Sequence, residues 1–157
     1  MSGQTLTTLL YGAIVNQILE QEQDPEKTTE ILNQFGLSIG SRLVDDYVSR
    51  FPTTCQNFKQ VAEGVQGALI HFLDMKKDQV QIQQQDDVQF QLCLQNNPLE
   101  QYVKVPAQLQ KLCYCQIIAG AVVGALRQLM YECEATYVDG ILKVKLLNKV
   151  EARFAQQ

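Results

Sequence analysis

A chain of 157 residues fits one domain, large enough to bury an ordinary core. Its net charge is −4, and no cluster of Lys or Arg supplies the basic footprint that nucleic acid demands. Apolar residues make up 46% and charged residues only 19%, so glutamine supplies much of the polar surface, a composition suited to burial against partner proteins.

Residues 4–21 carry Leu6, Leu9, Leu10, Ala13, Ile14 and Ile18 at helical period. Asp24-Pro25-Glu26 then reads as an N-cap, a first-turn proline and a favourable acid. The second helix follows, with Leu32, Phe35, Ile39, Leu43 and Tyr47 on one face. Within it, Gly36 and Gly40 share a face on which a neighbouring backbone can approach closely. Phe51-Pro52 ends this helix, because proline disfavours helical geometry in the residue before it.

Thr53 to Gln56 fits a capping box and opens a third helix to about Asp74, with Phe58, Val61, Ala62, Val65, Leu69 and Phe72 on one face. The period then changes to two. Val80 and Ile82 alternate with glutamines; after Asp86-Asp87, Val88, Phe90, Leu92 and Leu94 do the same, predicting a half-covered antiparallel hairpin. Gln95-Asn-Asn-Pro-Leu99 ends the strand in a corner.

Pro106 is expected to open a long helix to about Cys133. Its middle, Ile117 to Leu126, is apolar all round and too short for a membrane span of roughly twenty residues, so it reads as buried core, with Gly120 and Gly124 one turn apart. Ala135 to Val138, the turn Asp139-Gly140 and Ile141 to Leu147 predict a second hairpin, with Leu142, Val144 and Leu146 inward and Lys143 and Lys145 outward. The predicted class is α+β, a single domain over 1–157: four main helices on one face of a small antiparallel sheet of two hairpins.

Catalytic constellations are missing, and the chain reads as a non-enzyme. No glycine loop cradles phosphate. Asp45-Asp46 and Asp86-Asp87, the only adjacent acids, read as a solvated helix face and a hairpin turn. Five irregularly spaced cysteines without a secretory leader suit a reducing cytosol, and one histidine, His71, leaves a zinc site short of ligands.

Cys55 stands out. Placed in the first turn of the third helix, its thiolate would be favoured by unpaired N–H groups and the helix dipole, and thiolate attacks acyl thioesters. The apolar face beginning at Phe58 offers an acyl chain somewhere to go. The other reading of Cys55 is a small buried hydrophobe. Cys113 and Cys115 are expected on different sides of a helix, as packing residues.

Several runs in register resemble the small-subunit family of the TRAPP (transport protein particle) tethering complex, most closely its Bet-three branch. They are Thr8 to Gln17, Phe35 to Asp46, Cys55-Gln-Asn-Phe58, Gln95-Asn-Asn-Pro-Leu99, the helix around Gly120 to Leu126, and Glu134 to Val138. The resemblance implies helices packed on a twisted antiparallel sheet. It implies pairing, as homodimer or heterodimer, with other TRAPP small subunits through the first two helices, placing Leu10, Ile14, Ile39 and Leu43 at the interface. The assembly would activate a Rab-family GTPase in ER-to-Golgi transport, cytoplasmic and peripheral to Golgi and ER membranes.

The resemblance further implies no metal and no diffusible cofactor, but covalent palmitate on Cys55 entering a tunnel lined by Phe58, Val61, Ala62, Val65, Leu69 and Leu43. Thr54 replaces the basic residue that precedes the cysteine in familiar members. Leu69 stands where a smaller residue is usual and is expected to narrow the tunnel. The chain ends at Gln157 without the acidic tail of some relatives, so no tail contact with the GTPase's nucleotide site is expected. A reading from another class is a stand-alone haem- or lipid-sensing domain of related fold, with His71 beside Phe72 the one candidate haem ligand.

Overall fold

The computed structural model describes residues 3–52, 56–101 and 103–149. Helix α1 (Gly3–Glu22) ends at Gln23, whose backbone is left-handed (φ 54°) and whose N–H bonds the Leu19 carbonyl. Helix α2 (Pro25–Arg50) starts as expected: Asp24 caps it by accepting the Glu26 N–H at 2.9 Å, and it stops just before Phe51.

The two helices bury a different side from the one with the strongest apolar stripe. Helix α1 buries Tyr11, Val15 and Ile18, while Leu6, Leu9, Leu10 and Ile14 are exposed. Helix α2 buries Thr28, Leu32, Gly36, Gly40 and Val44, leaving Phe35 and Ile39 in solvent. Both helices are therefore apolar on two sides.

Helix α3 (Phe58–Leu73) is capped by Asn57, whose Oδ1 accepts the Gln60 N–H at 2.9 Å. The expected cap at Thr53 lies outside the described residues; the helix as described starts at Phe58, behind Asn57. It ends at left-handed Asp74, with the Met75 N–H reaching back to the Ile70 carbonyl.

Strands β1 (Val80–Gln85) and β2 (Gln89–Leu94) form the expected hairpin, pinned by Asp86, which accepts the N–H groups of Val88 and Gln89 at 2.8 Å. Those two bonds hold the Asp86 carboxyl below its usual pKa.

The long helix expected from Pro106 to Cys133 is corrected at both ends. Helix α4 is only Gln116–Gln128, preceded by a short 3-10 turn at Ala107–Leu109. Tertiary bonds take the backbone groups a longer helix needs: the Cys113 N–H donates to the Thr29 hydroxyl at 3.0 Å, and the Tyr11 hydroxyl donates to the Tyr114 carbonyl. Leu112 and Cys115 are buried there, so Cys113 and Cys115 are not a helical pair. At the other end, Met130 is left-handed (φ 70°), and β3 (Tyr131–Val138) begins four residues before its expected start. Tyr131, Cys133 and Tyr137 point inward at period two, a signal that helical neighbours masked.

Strand β4 (Ile141–Lys149) follows a turn with positive φ at both Asp139 and Gly140, as a tight hairpin requires. The sheet order is β1-β2-β4-β3, all antiparallel, so the hairpins join through β2 and β4. Phe90, Leu92, Leu142 and Val144 face the helices and are fully buried.

Helices α2 and α4 meet backbone to backbone. A Cβ on Gly36 would strike the Ile117 carbonyl, and one on Gly40 the Ala121 carbonyl. Cβ atoms on Gly120 and Gly124 would strike the carbonyls of Asn33 and Leu37. The close approach read from Gly36 and Gly40 is present, with α4 as the neighbour.

Buried titratable groups set an alkaline limit. Burial pushes the Cys133 thiol up to about 12 from an ordinary value near 8.5, with Glu132 adding to the shift. Burial likewise raises Tyr11, Tyr137 and Cys115. A group whose folded pKa is raised contributes stability below its unfolded pKa and loses it as pH rises toward the folded value. The urea midpoint should therefore fall between about pH 8 and pH 10.5, and fall less in Cys133→Val. Equal midpoints at the two pH values would contradict this burial.

Candidate functional site

Small residues on three helices leave a gap in the packing. Gly64 and Ala68 on α3 face Gly40 of α2 and Ala121 and Ala125 of α4, helices that themselves meet backbone to backbone, across a cavity of about 270 Å³. Larger apolar side chains complete the wall: Val44 and Tyr47 from α2, Phe72 and Leu73 from α3, and Val122 and Leu126 from α4. Among the described residues, no charged side chain lines it. The Tyr47 hydroxyl apart, the described wall offers no polar side chain, so it is a site for an apolar guest. Along α3 the wall runs from Val61 to Leu73, about 18 Å at 1.5 Å per residue, a length that fits a long-chain acyl group.

Of the residues expected to line a lipid tunnel, Leu43, Val61, Val65 and Leu69 line this cavity. Leu69 flanks the cavity without filling it. Phe58 and Ala62 do not line it. Phe58 packs on the sheet, 5.2 Å from the Phe90 ring and 6.1 Å from the Tyr131 ring, and Ala62 is fully buried in the core. They sit on the side of α3 turned toward the strands, a distinction that one apolar stripe does not carry.

Cys55 lies outside the described residues. Helix α3 is described from Phe58 onward, so the expected first-turn setting of the Cys55 thiolate falls outside the described residues as well. Leu10, Ile14 and Ile39 are 57%, 48% and 41% exposed, an apolar surface suited to a partner, while Leu43 faces the cavity and is half-buried. His71 is exposed and packs against Phe51 and Phe72 at 5.0 and 4.8 Å; it is not part of the cavity wall where a haem would need it. Among the described residues no His/Cys/Asp/Glu group is arranged to hold a metal, and no helix is long and apolar enough to cross a membrane.

The Asn-Asn-Pro corner proves to be a hub. Asn96 is left-handed (φ 55°), which turns Asn97 into the core, where it is 1% exposed. Asn97 Nδ2 donates to the Tyr137 hydroxyl at 3.0 Å, and its Oδ1 accepts the N–H of Leu99, a cavity-wall residue. The Tyr137 hydroxyl in turn donates to Glu100 at 2.7 Å, and Cys115 Sγ lies 3.7 Å from the same carboxylate. The Thr8 hydroxyl of α1 bonds the Pro98 carbonyl. The corner thus ties α1, β3, the start of α4 and the cavity together. Asn97→Ala should cost ~1–3 kcal/mol, because it strands the buried Leu99 N–H and removes the donor to the Tyr137 hydroxyl, which keeps its own bond to Glu100. A urea midpoint unchanged at constant slope would refute this role.

A family model described as "Transport protein particle (TRAPP) component" matches residues 7–151. The chain is similar to the Caenorhabditis elegans protein "Trafficking protein particle complex subunit 3 homolog", 32% identical over 139 residues, covering 85% of this chain and 76% of that protein. It is also similar to "Transport protein particle subunit bet3" of Schizosaccharomyces pombe, 31% identical over 140 residues, covering 88% and 76%. Among solved structures it resembles a trafficking protein particle complex subunit 3 from Naegleria fowleri, covalently bound to palmitic acid. The TM-score is 0.86 at 25% identity, over 94% of this chain and 97% of that one.

Proposed function

The chain belongs to the TRAPP component family, and from that premise we propose that it is a non-catalytic, S-acylated subunit of a vesicle-tethering complex. In this reading Cys55 carries a long-chain acyl group, palmitate being the model from the Naegleria relative, and the chain fills the cavity between α2, α3 and α4. The cavity, apolar but for the Tyr47 hydroxyl and about 270 Å³, is the observation that carries it. Sequence separation supports the reading: three residues, at most about 11 Å of chain, separate position 55 from Phe58, and Val61 in the wall lies one turn beyond Phe58. The acyl group acts as a core element more than as a membrane anchor.

Pairing with another TRAPP small subunit, as homodimer or heterodimer, uses the exposed face built by Leu6, Leu9, Leu10 and Ile14 of α1 with Phe35 and Ile39 of α2. The assembly, not this chain, activates a Rab-family GTPase in ER-to-Golgi transport, at the cytoplasmic side of those membranes. Intact-mass spectrometry of protein from a eukaryotic host tests the acyl claim. The expected mass is the chain plus one acyl group, restored to the bare chain by hydroxylamine. A bare mass before treatment would end the claim.

A further inference from the structure

The cavity wall reaches solvent along the seam between α2 and α3. Ile39 and Val48 of α2 and Phe72 of α3 line the cavity, yet they are 41%, 37% and 37% exposed. Neither helix is free to widen that seam. On its other side α2 is locked to α4, backbone against backbone, through Gly36 and Gly40. Helix α3 rests on β1 and β2, with the Phe58 ring stacked against Phe90. What can move there is a side chain.

Tyr47 crosses the seam. It leaves α2 as a cavity-wall residue, and its hydroxyl lies over Gly67 of α3, where a Cβ would strike it. Gly67 is not part of the wall, whereas Gly64 and Ala68 beside it are. The ring therefore passes over the cavity and comes to rest on the outer side of α3. There it meets Phe51 at 4.9 Å, Phe72 at 6.1 Å and His71 at 6.2 Å between ring centres. Phe51 and His71 are both exposed. Ring contacts of this kind are individually weak, so the ring can swing toward solvent while both helices stay in place.

We propose that Tyr47 is the gate of the cavity: apolar chains enter and leave sideways, between α2 and α3, when its ring swings off Gly67. The inference rests on the cavity's holding an apolar guest, as proposed above, and adds the route by which that guest arrives. Gly67 is the seat of the gate, because a residue without a side chain lets the hydroxyl settle against α3 and the ring bridge both helices. A gate sets the rates of entry and exit and leaves affinity nearly unchanged; a residue that is only wall sets affinity through the exit rate.

The test uses the full chain in unacylated form, its mass verified, and cis-parinaric acid, an unbranched fatty acid whose fluorescence rises in apolar surroundings. Stopped flow reads both rate constants. Tyr47→Ala should raise association and dissociation together by about tenfold, with Kd changed by less than about threefold. Gly67→Ala, which helix propensity favours, should also speed both steps, because the new Cβ pushes the hydroxyl off its seat. The double variant Tyr47→Phe/Gly67→Ala should return to the parent rates. Without the hydroxyl, the nearest ring carbon stands 3.6 Å from that Cβ, an ordinary contact. Identical rates in parent and variants, or a Tyr47→Ala effect confined to dissociation, would overturn the gate and leave the cavity reading standing. Fast exchange in Gly67→Ala that persists in the double variant would overturn the pairing of Tyr47 with Gly67 on which the gate is built. Failure of parent and variants alike to take up the probe would overturn both the gate and the apolar-guest reading.

Discussion

Gly40→Ala lowers the unfolding free energy by ~3 kcal/mol, read as a shift of the denaturant midpoint at constant slope. Helix propensity alone forecasts the opposite sign, since replacing Gly by Ala inside a helix stabilises by ~1 kcal/mol. Sterics win because the new Cβ would lie inside the Ala121 carbonyl, a backbone atom that moves only if α2 and α4 part. Parting them also loosens Gly36 against Ile117 and Gly124 against Leu37, so the damage spreads along the whole contact. Gly3→Ala is the control: its Cβ meets nothing within 4 Å, and the change should stay within ~0.5 kcal/mol. A neutral or stabilising Gly40→Ala would show that the two helices do not touch through their backbones.

Cys55→Ser, under the acylated reading, removes both the added mass and a large share of stability. Roughly fifteen methylenes at about 0.8 kcal/mol each give a gross burial term near 12 kcal/mol before strain and ordering costs. Counted from the other side, leaving a cavity of about 270 Å³ empty costs on the order of 6 kcal/mol at ~24 cal/mol per Å³. Partial collapse of the wall recovers some of this, so a net loss of ~3–6 kcal/mol is expected. At roughly 2–4 °C per kcal/mol, that is a fall in Tm of about 6–24 °C. The comparison is acylated chain against Cys55→Ser from the same host, with the mass of each verified first. A Tm within about 2 °C, with acylation confirmed in the parent, would mean that the acyl chain lies outside the cavity.

Periodicity made four helices, two hairpins and their order legible, because each pattern is a local consequence of 3.6 or 2 residues per repeat. The Asp24-Pro25 start, the Phe51-Pro52 stop and the Asp139-Gly140 turn were legible for the same reason: their chemistry is complete within a few residues. The cavity was half legible. Leu43, Val61, Val65 and Leu69 announce themselves as an apolar stripe, whereas Gly64, Ala68, Ala121 and Ala125 work by being small, and smallness is silent until three helices face one another. Asn97 was read as part of a corner; its partners Tyr137 and Cys115 lie 40 and 18 residues away in the chain.

By itself, then, the order of residues determined the number and order of helices and hairpins, the start and stop of α2, the Asp139-Gly140 turn, and the family to which the chain belongs. Tertiary structure alone decided that α4 is short, since Thr29 and Tyr11 capture backbone groups that a longer helix would use. It also decided which of two apolar faces α1 and α2 bury, because the pairing of Gly36 and Gly40 with α4 leaves Phe35 and Ile39 outside. The join between β2 and β4 and the volume between α2, α3 and α4 were settled there too. Each is a relation between distant segments, and the energy that selects it exists only once those segments touch.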